Sequence, residues 1–247
     1  MYKGKTIAVV VPAYNEEDFI ADVIRGIPEY VDRVYVVNDA STDKTAQIAQ
    51  SFASRNDKIK LINHHKNGGV GAAVTSGHMK ALEKTIDIVA VMAGDNQMPP
   101  EFMPALLDPI VEGEADYAKG DRMSDSQHRA GMPIFRRFGT FLLTILTRVS
   151  SGYWHIKDPQ NGYTAINKEA LSKIPLNEVY EGFAFENDML IRLNLINARV
   201  VDVPHPAIYG EELSKINYPK FIISTSWMLL KSWIWRLWKK YITRQAS

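Results

Sequence analysis

Hydrophobic residues fall along this chain in short blocks separated by polar punctuation, and the blocks alternate in kind. Thr6 to Val11 is a compact apolar run that Pro12 ends. Val34–Val37, Ile59–Asn63, Ile88–Met92 and Tyr117–Lys119 follow as further short runs rich in β-branched residues. Runs of that length and composition are those of buried strands. Between them lie longer stretches with apolar residues at helical spacing: Asp18–Ile27, Lys44–Ser54, a stretch after the His64–Ala73 loop reaching about Thr85, and one opened by the Pro99-Pro100 pair. Asn15 is placed to cap the first of these helices, and Thr42 or Asp43 the second. Strand, loop and helix thus alternate four times before residue 112. That pattern predicts an α/β chain with a mostly parallel central sheet flanked by helices.

Beyond that point the pattern predicts an apolar helix over Phe135–Val149, a helix over Phe185–Asn197 and a last strand, Arg199–Val203. Met123–Met132 is polar without periodicity, and a mobile loop is expected there. Ser151–Tyr163 is dense in aromatic and polar residues and reads as an ordered loop that lines something. With no internal repeat and no low-complexity linker, one domain is expected over residues 1–212, followed by a tail over 213–247.

The tail changes the picture through its charge. After Glu212 there is no acidic residue, while Lys215, Lys220, Lys231, Arg236, Lys239, Lys240 and Arg244 follow, with Trp227, Trp233, Trp235 and Trp238 among them. On a helix, Ser232, Arg236, Lys239, Lys240 and Thr243 share one side. Trp227, Leu230, Trp233, Ile234, Trp235, Leu237, Trp238 and Tyr241 cover most of the remainder, and the stem of Lys231 can snorkel from within that arc. This is the make-up of a helix lying in a membrane interface. A helix packed on the domain or on a second subunit is the competing reading, so a homo-oligomer stays open.

Composition excludes more than it selects. The 247 residues carry a formal charge of +1, which argues against a nucleic-acid binder working by bulk charge. There is no cysteine, hence no disulfide framework and no thiolate chemistry, which fits a cytoplasmic protein. The N-terminal segment is too short for a signal-peptide core, and no run of eighteen apolar residues occurs, so no membrane-spanning helix is expected.

The chemistry concentrates at strand ends, where ligands of open α/β sheets sit. Ile88–Met92 runs into Ala93 and Gly94 and then presents Asp95, Asn96 and Gln97. Such an oxygen-rich turn can hold a hard cation, and the cation a diphosphate; a polar turn with an aspartate helix cap is the plainer alternative. The glycine cluster Gly69-Val70-Gly71-Ala72-Ala73-Val74 lacks the third small residue of a dinucleotide fingerprint and follows the third strand, so that reading is rejected. Small residues here are expected instead to let a helix sit close under a bound ring. Arg136 and Arg137 stand at a helix N-terminus, where cations oppose the dipole and a nearby anion would make sense of them. Glu186, Asn187 and Asp188 occupy another first turn, where carboxylates are also ordinary helix stabilisers.

Taken together, Val10–Glu17, Val36–Asp43, the Gly68–Ala73 loop and Gly94–Gln97 resemble, in order and spacing, the family-2 glycosyltransferases of the GT-A fold. Trp154–Ile166, Asn187-Asp188, Tyr209-Gly210 and Ser214-Lys215-Ile216 are similar to the polyprenyl-phosphate branch, which includes dolichol-phosphate mannose synthases. The resemblance reaches to about Tyr241. It implies a hexosyltransferase that takes a UDP- or GDP-linked sugar as donor and a dolichyl or undecaprenyl phosphate as acceptor, peripheral on the cytoplasmic face of a membrane. It places Pro12, Tyr14 and Glu16 around the base and ribose, Asp39 on the base or ribose edge, and Gly71 beside the donor. Asp95 and Gln97 would ligate Mg²⁺ or Mn²⁺ on the diphosphate. Arg122, Arg136 or Arg137, and Lys215 would face phosphates.

One departure bears on the metal. The family usually carries two aspartates separated by one residue at this turn, and here the first is Ala93. Three readings follow: a cation bound mainly together with the donor, a larger share of the charge carried by Lys215 and the arginines, or a non-catalytic nucleotide-sugar binder. A phosphate acceptor is already anionic and needs no base, so catalysis would be positioning and charge stabilisation centred on Asp95. A saccharide hydroxyl would need a general base, for which Asp188 is the candidate.

Overall fold

A computed structural model of the chain describes residues 1–124, 134–206 and 218–242. Seven strands form one sheet: β1 (Ile7–Ala13), β2 (Arg33–Asn38), β3 (Ile59–Asn63), β4 (Ile88–Val91), β5 (Tyr117–Asp121), β6 (Thr164–Asn167) and β7 (Val200–Pro204), in the order β3-β2-β1-β4-β6-β5-β7. All pairings are parallel except those of β6, which runs antiparallel to both β4 and β5. Six strands therefore end at one rim. The mostly parallel sheet expected from the alternation is present.

Neighbouring residues of the strands serve opposite faces, as the two-residue period requires. Ala8, Val10, Tyr35, Val37 and Val89 pack with α3 (Val70–Leu82) and α7 (Phe185–Leu195). Ile7, Val9, Val11, Val36 and Ala90 pack with α1 (Ile20–Gly26), α2 (Thr45–Ala53) and α4 (Met103–Val111) on the other side. A sheet covered on both faces needs near-continuous apolar strands, which is why β1 reads IAVVVPA with every residue buried. Fully withdrawing one such valine from water contributes about 1.5–3 kcal/mol.

Three details differ from expectation, and a fourth agrees with it. Pro12 does not end β1: the strand runs through it to Ala13, with Pro12 opposite Val37. The β6 strand was not foreseen; at four residues it is too short to stand out within an irregular stretch. Asn15 does not cap α1, which Phe19 precedes, but joins two loops instead, as described below. Asp43 does support α2, accepting the Thr45 N–H at 2.9 Å.

The helix α5 (Ile134–Ser151) packs against α7 and against α8 (Tyr218–Leu237), which runs on into a π-helical turn at Trp238–Ile242. Leu143, Ile191 and Leu229 form a small core of their own between these three helices. Among the described residues, no helix is long and apolar enough to cross a membrane. Arg136 and Arg137 fall in the first turn of α5. Lys215, with Tyr209, Gly210, Ser214 and Ile216, lies outside the described residues, as does most of the expected Met123–Met132 loop.

Candidate active site

The loops after β1 and β2, which leave adjacent strands, are laced together. Asn15 Oδ1 accepts the Thr42 N–H at 2.8 Å, Asn15 N–H donates to Ser41 Oγ at 3.0 Å, Glu16 N–H to Thr45 Oγ1 at 2.8 Å, and Glu17 Oε2 accepts the Lys44 N–H at 3.0 Å. The loop after β4 joins them through Gly94 N–H, which donates to Pro12 O at 3.1 Å. Each of the three loops contains one non-glycine residue in the left-handed region: Asn15 (φ 56°), Ala40 (φ 58°) and Asn96 (φ 59°). Strain of that kind costs on the order of 1–3 kcal/mol per residue and persists where surrounding bonds hold it, commonly at functional sites. Pro12 is buried and Tyr14 exposed at this rim, with Glu16 between them in burial.

Asp39, at the end of β2, is held from three directions. Its Oδ1 accepts from His64 Nδ1 at 2.7 Å and from Gly68 N–H at 2.9 Å, and its Oδ2 from Gly69 N–H at 2.8 Å. His64 Nε2 in turn faces Ser76 Oγ at 2.9 Å. The carboxylate thereby fastens the loop after β3, and the start of α3, to the end of β2.

Asp95 and Gln97 share one turn: Gln97 N–H donates to Asp95 Oδ1 at 3.1 Å. Among the described residues there is no cluster of three or more His, Cys, Asp or Glu side chains able to hold a metal. The donor set here, one carboxylate and one amide with Ala93 in place of a second carboxylate, fits Mg²⁺ or Mn²⁺ only in company with further oxygens. The diphosphate of a donor would supply them.

The other half of the rim is built at the ends of β5 and β7. The Arg122 guanidinium straddles the buried Asp158, with Nε to Oδ2 at 2.7 Å and Nη2 to Oδ1 at 3.1 Å. Burial pushes the Asp158 carboxyl up, but the Arg122 charge and hydrogen bonds outweigh it and hold the group below the usual carboxylate range. Lys119 is fully buried and donates to Asn161 O; burial pushes it down to about 8. Asp202, which accepts the Lys157 N–H at 2.7 Å, is pushed up by burial to about 6. Asn161 Nδ2 and His205 Nε2 lie 2.7 Å apart and close this network.

The two acidic residues in the first turn of α7 have separated roles. Asp188 Oδ2 pairs with Arg192 Nε at 2.8 Å and accepts the Tyr180 N–H at 3.0 Å, so the carboxylate fixes the 180–184 loop onto its own helix. Glu186 Oε1 lies behind Gly162, and burial raises its carboxyl while Lys119 pulls the other way. The geometry thus ties the expected general base into the scaffold and leaves its neighbour facing the Met98–Gly162 region. Gly71 also differs from expectation. A Cβ there would collide with the Tyr180 carbonyl oxygen, and one on Gly69 (φ 92°) would lie 2.7 Å from Glu181 O. The small residues are used against the chain's own backbone.

Residue-type reasoning missed His64, Ser76, Lys119, Asp158 and Glu186. Asp158 and Glu186 stood in stretches already marked as unusual; His64 and Ser76, twelve residues apart, carry no local signal, because only the fold brings both to Asp39.

Comparison with known proteins agrees with this geometry. The model of the glycosyl transferase family 2 matches residues 8–175. The chain is 29% identical over 222 residues to the UDP-N-acetylglucosamine–dolichyl-phosphate N-acetylglucosaminyltransferase of Methanococcus voltae, covering 84% of this chain and 87% of that one. It is 30% identical over 203 residues to the dolichol-phosphate mannosyltransferase of Pyrococcus furiosus, covering 80% and 55%. It is 26% identical over 201 residues to the undecaprenyl-phosphate mannosyltransferase of Micrococcus luteus, covering 80% and 82%. Glucosyl-3-phosphoglycerate synthase from Mycobacterium tuberculosis, solved with Mn²⁺, UDP and phosphoglyceric acid, shares the fold at a TM-score of 0.69 and 22% identity, over 94% of this chain and 78% of that one. The chain belongs to glycosyl transferase family 2: it is a glycosyltransferase of the GT-A fold, and its named relatives are those of the polyprenyl-phosphate branch.

Proposed function

We propose that this chain moves a sugar from a nucleotide-diphosphate sugar to a polyprenyl phosphate at a membrane surface. The observation that carries the reading is the juxtaposition of a polar rim with an apolar face that is exposed among the described residues. The 180–184 loop packs on the glycines of the rim, and its Phe183 meets Phe221 of α8 edge-on, with ring centroids 6.4 Å apart. Phe221 itself packs inward against the Leu143–Ile191–Leu229 core, while the outer side of α8 carries Ile223, Trp227, Leu230 and Ile234, with Trp238 just past its end, all exposed. Phe141, Leu142, Ile145 and Val149 of α5 are exposed as well. A face of this size and composition suits acyl chains, and it brings a lipid headgroup to the same rim that would hold the donor.

On this reading the donor base and ribose lie by Pro12, Tyr14, Glu16 and Asp39, and Asp95 with Gln97 would hold Mg²⁺ or Mn²⁺ together with the diphosphate. The cation supplies charge stabilisation for the departing nucleotide. Arg122, the α5 arginines and Lys215 would neutralise phosphate charge, with the Asp158 pair fixing the Arg122 fork. The lipid phosphate attacks the anomeric carbon as an anion and the nucleotide leaves from the opposite side, inverting configuration. No proton has to be removed from the acceptor, which accords with Asp188 being tied to Arg192 and the Tyr180 N–H. A site for saccharide hydroxyls would instead use Asp188 as base.

Two measurements test this. Thermal-shift screening against UDP- and GDP-sugars with Mn²⁺ should single out one donor by mass action; no shift with any donor would defeat the reading. Asp188→Asn should retain most transfer to a lipid phosphate, whereas its complete loss in a folded variant would favour a hydroxyl acceptor.

A further inference from the structure

The helices α5 and α8 are built the wrong way round for a pair that faces water. A water-facing helix turns its apolar stripe inward and its polar residues out. On α5, Thr144, Thr147, Ser150 and Ser151 are buried, while Phe141, Leu142, Ile145 and Val149 are exposed. The buried hydroxyls find partners within the protein. Thr144 donates to Thr140 O at 2.8 Å, Thr147 to Leu143 O at 2.7 Å and Ser150 to Leu146 O at 2.7 Å, and Thr147 Oγ1 also accepts from Asn187 Nδ2 at 2.7 Å. The same plan holds on α8, where Thr225 and Arg236 are buried and Ile223, Trp227, Leu230 and Ile234 are exposed.

Charge on this pair has one sign. Residues 134–151 and 218–242 contain no aspartate or glutamate, against four lysines and four arginines. Arg236 and Lys240 are turned to the protein, where both reach Asn194 Oδ1. Lys231 and Lys239 stay outside, each laid over an indole: Lys231 Nζ is 5.1 Å from the centre of the Trp227 ring, and Lys239 Nζ 5.8 Å from that of Trp238. At about 100° per residue, Ile223, Trp227, Lys231, Ile234 and Trp238 share one side of the helix. The two indoles are about 16 Å apart along it.

We infer that the α5–α8 pair docks on a bilayer that contains anionic phospholipid, and that Lys231 and Lys239 take its headgroups. This rests on the membrane reading above and adds the lipid class that the surface prefers. An indole settles at headgroup level, with its ring against the acyl boundary. A lysine held over that ring keeps its stem in the apolar layer and its ammonium among the phosphates. A neutral phospholipid already balances its phosphate with its own choline, whereas an anionic one leaves a charge for the lysine to meet. A second copy of this chain is the competing cover. A symmetric contact would set one acid-free surface against another, so no carboxylate of the two helix pairs would stand opposite a lysine.

Co-sedimentation of the full chain with vesicles tests the inference, using phosphatidylcholine alone and phosphatidylcholine mixed with phosphatidylglycerol. Neither vesicle contains polyprenyl phosphate, so the acceptor does not enter. Each basic residue at an anionic surface contributes about fivefold to binding, so the mixed vesicles should bind at least about twenty-five-fold more tightly. The difference should shrink as salt is raised. Lys231→Gln combined with Lys239→Gln should remove most of the preference and leave binding to neutral vesicles nearly unchanged. Lys231→Arg combined with Lys239→Arg keeps the charges and should keep the preference. All four substitutions fall at exposed positions, outside the core. Equal binding to the two vesicles would overturn the inference while leaving the membrane reading standing. A preference that the glutamine pair leaves intact would overturn the role of the two lysines. Binding to neither vesicle, with or without self-association through Trp227, would instead bring down the membrane reading itself.

Discussion

The rim of the sheet and the outer face of α5 and α8 are opposites in how they treat their side chains. At the rim, polar groups hold one another: the side chains of Asn15, Asp39, Asp43 and Asp158 each accept two or more hydrogen bonds. On the helix pair the arrangement is turned inside out. Arg236 is buried, with Nη1 to Asn194 Oδ1 at 2.9 Å, and Lys240 reaches the same oxygen at 3.0 Å. Meanwhile Ile223 is 72% exposed, Phe141 60%, Trp227 58% and Ile234 57%. A site that binds polar ligands must not lose its geometry when empty, so its groups hold one another. On the outer helix face, among the described residues, the apolar side chains have no such mutual cover.

The largest effect should come from the turn after β4. Asp95→Ala removes the only carboxylate of the 93–97 turn, and transfer of labelled sugar should fall at least about a hundredfold, the scale of losing one electrostatic stabiliser. The melting curve should hardly move. Retained activity would separate Asp95 from the reaction and assign the charge work to the arginines.

Next in size, Gly71→Val forces a side chain against the Tyr180 carbonyl. Overpacking of this kind costs about 1–3 kcal/mol, readable by urea denaturation, with a matching loss of activity as the 180–184 loop lifts. A neutral substitution would show that the loop gives way easily.

His78 sharpens the contrast from the core side. Both of its ring nitrogens are buried without a partner, next to Phe185, and burial pushes it down to about 4 from an ordinary 6.5. The folded protein keeps it neutral while the unfolded chain protonates near 6.5. Its contribution is therefore complete above pH 6.5 and is lost as the pH falls from there toward 4. By pH 5 the loss is about 2 kcal/mol. Asp202, raised to about 6, works the other way, stabilising the fold as the pH drops through 6. Comparing wild type with His78→Leu at pH 7 and pH 5 isolates the histidine: the variant should lose less stability over that interval, and an equal loss in both would dismiss the effect.

The smallest effect belongs to the outer face. Replacing Trp227 and Ile234 with serine removes two exposed anchors without touching the core and should weaken sedimentation with anionic vesicles roughly tenfold. Unaltered vesicle binding would leave the face to some other partner.

The sheet and its helices were legible in the sequence because a doubly covered parallel sheet writes its strands as unbroken apolar runs. The β6 strand was hidden, since four residues in an antiparallel slot leave no periodic trace. The helical wheel of the tail grouped Lys239 with Arg236 and Trp235 with the outer tryptophans, whereas in the fold Arg236 is buried, Lys239 is exposed and Trp235 packs against the Leu143–Ile191–Leu229 core. Only α5 and α7, with Asn194 and the Val149 carbonyl as partners for Arg236, decide which side faces the protein. At the candidate site, strand-end position pointed to Asp95 and Gln97, and the family resemblance to Asp39. Asp188 was marked as a base because its sequence position does not show Arg192 Nε 2.8 Å away. The Gly71 signal was real but its cause was the 180–182 backbone. Long-range pairings such as His64 with Ser76 exist only once the chain has folded.

The most direct test is transfer itself. The full chain is incubated with Mn²⁺, a UDP- or GDP-sugar carrying labelled sugar, and polyprenyl phosphate in vesicles, and the label is followed into the organic phase. The account predicts a labelled lipid that forms only when protein, cation, donor and lipid phosphate are all present, with inverted configuration at the anomeric carbon. Label that remains in the donor, or that passes instead to a soluble saccharide while the lipid phosphate goes unused, would contradict it.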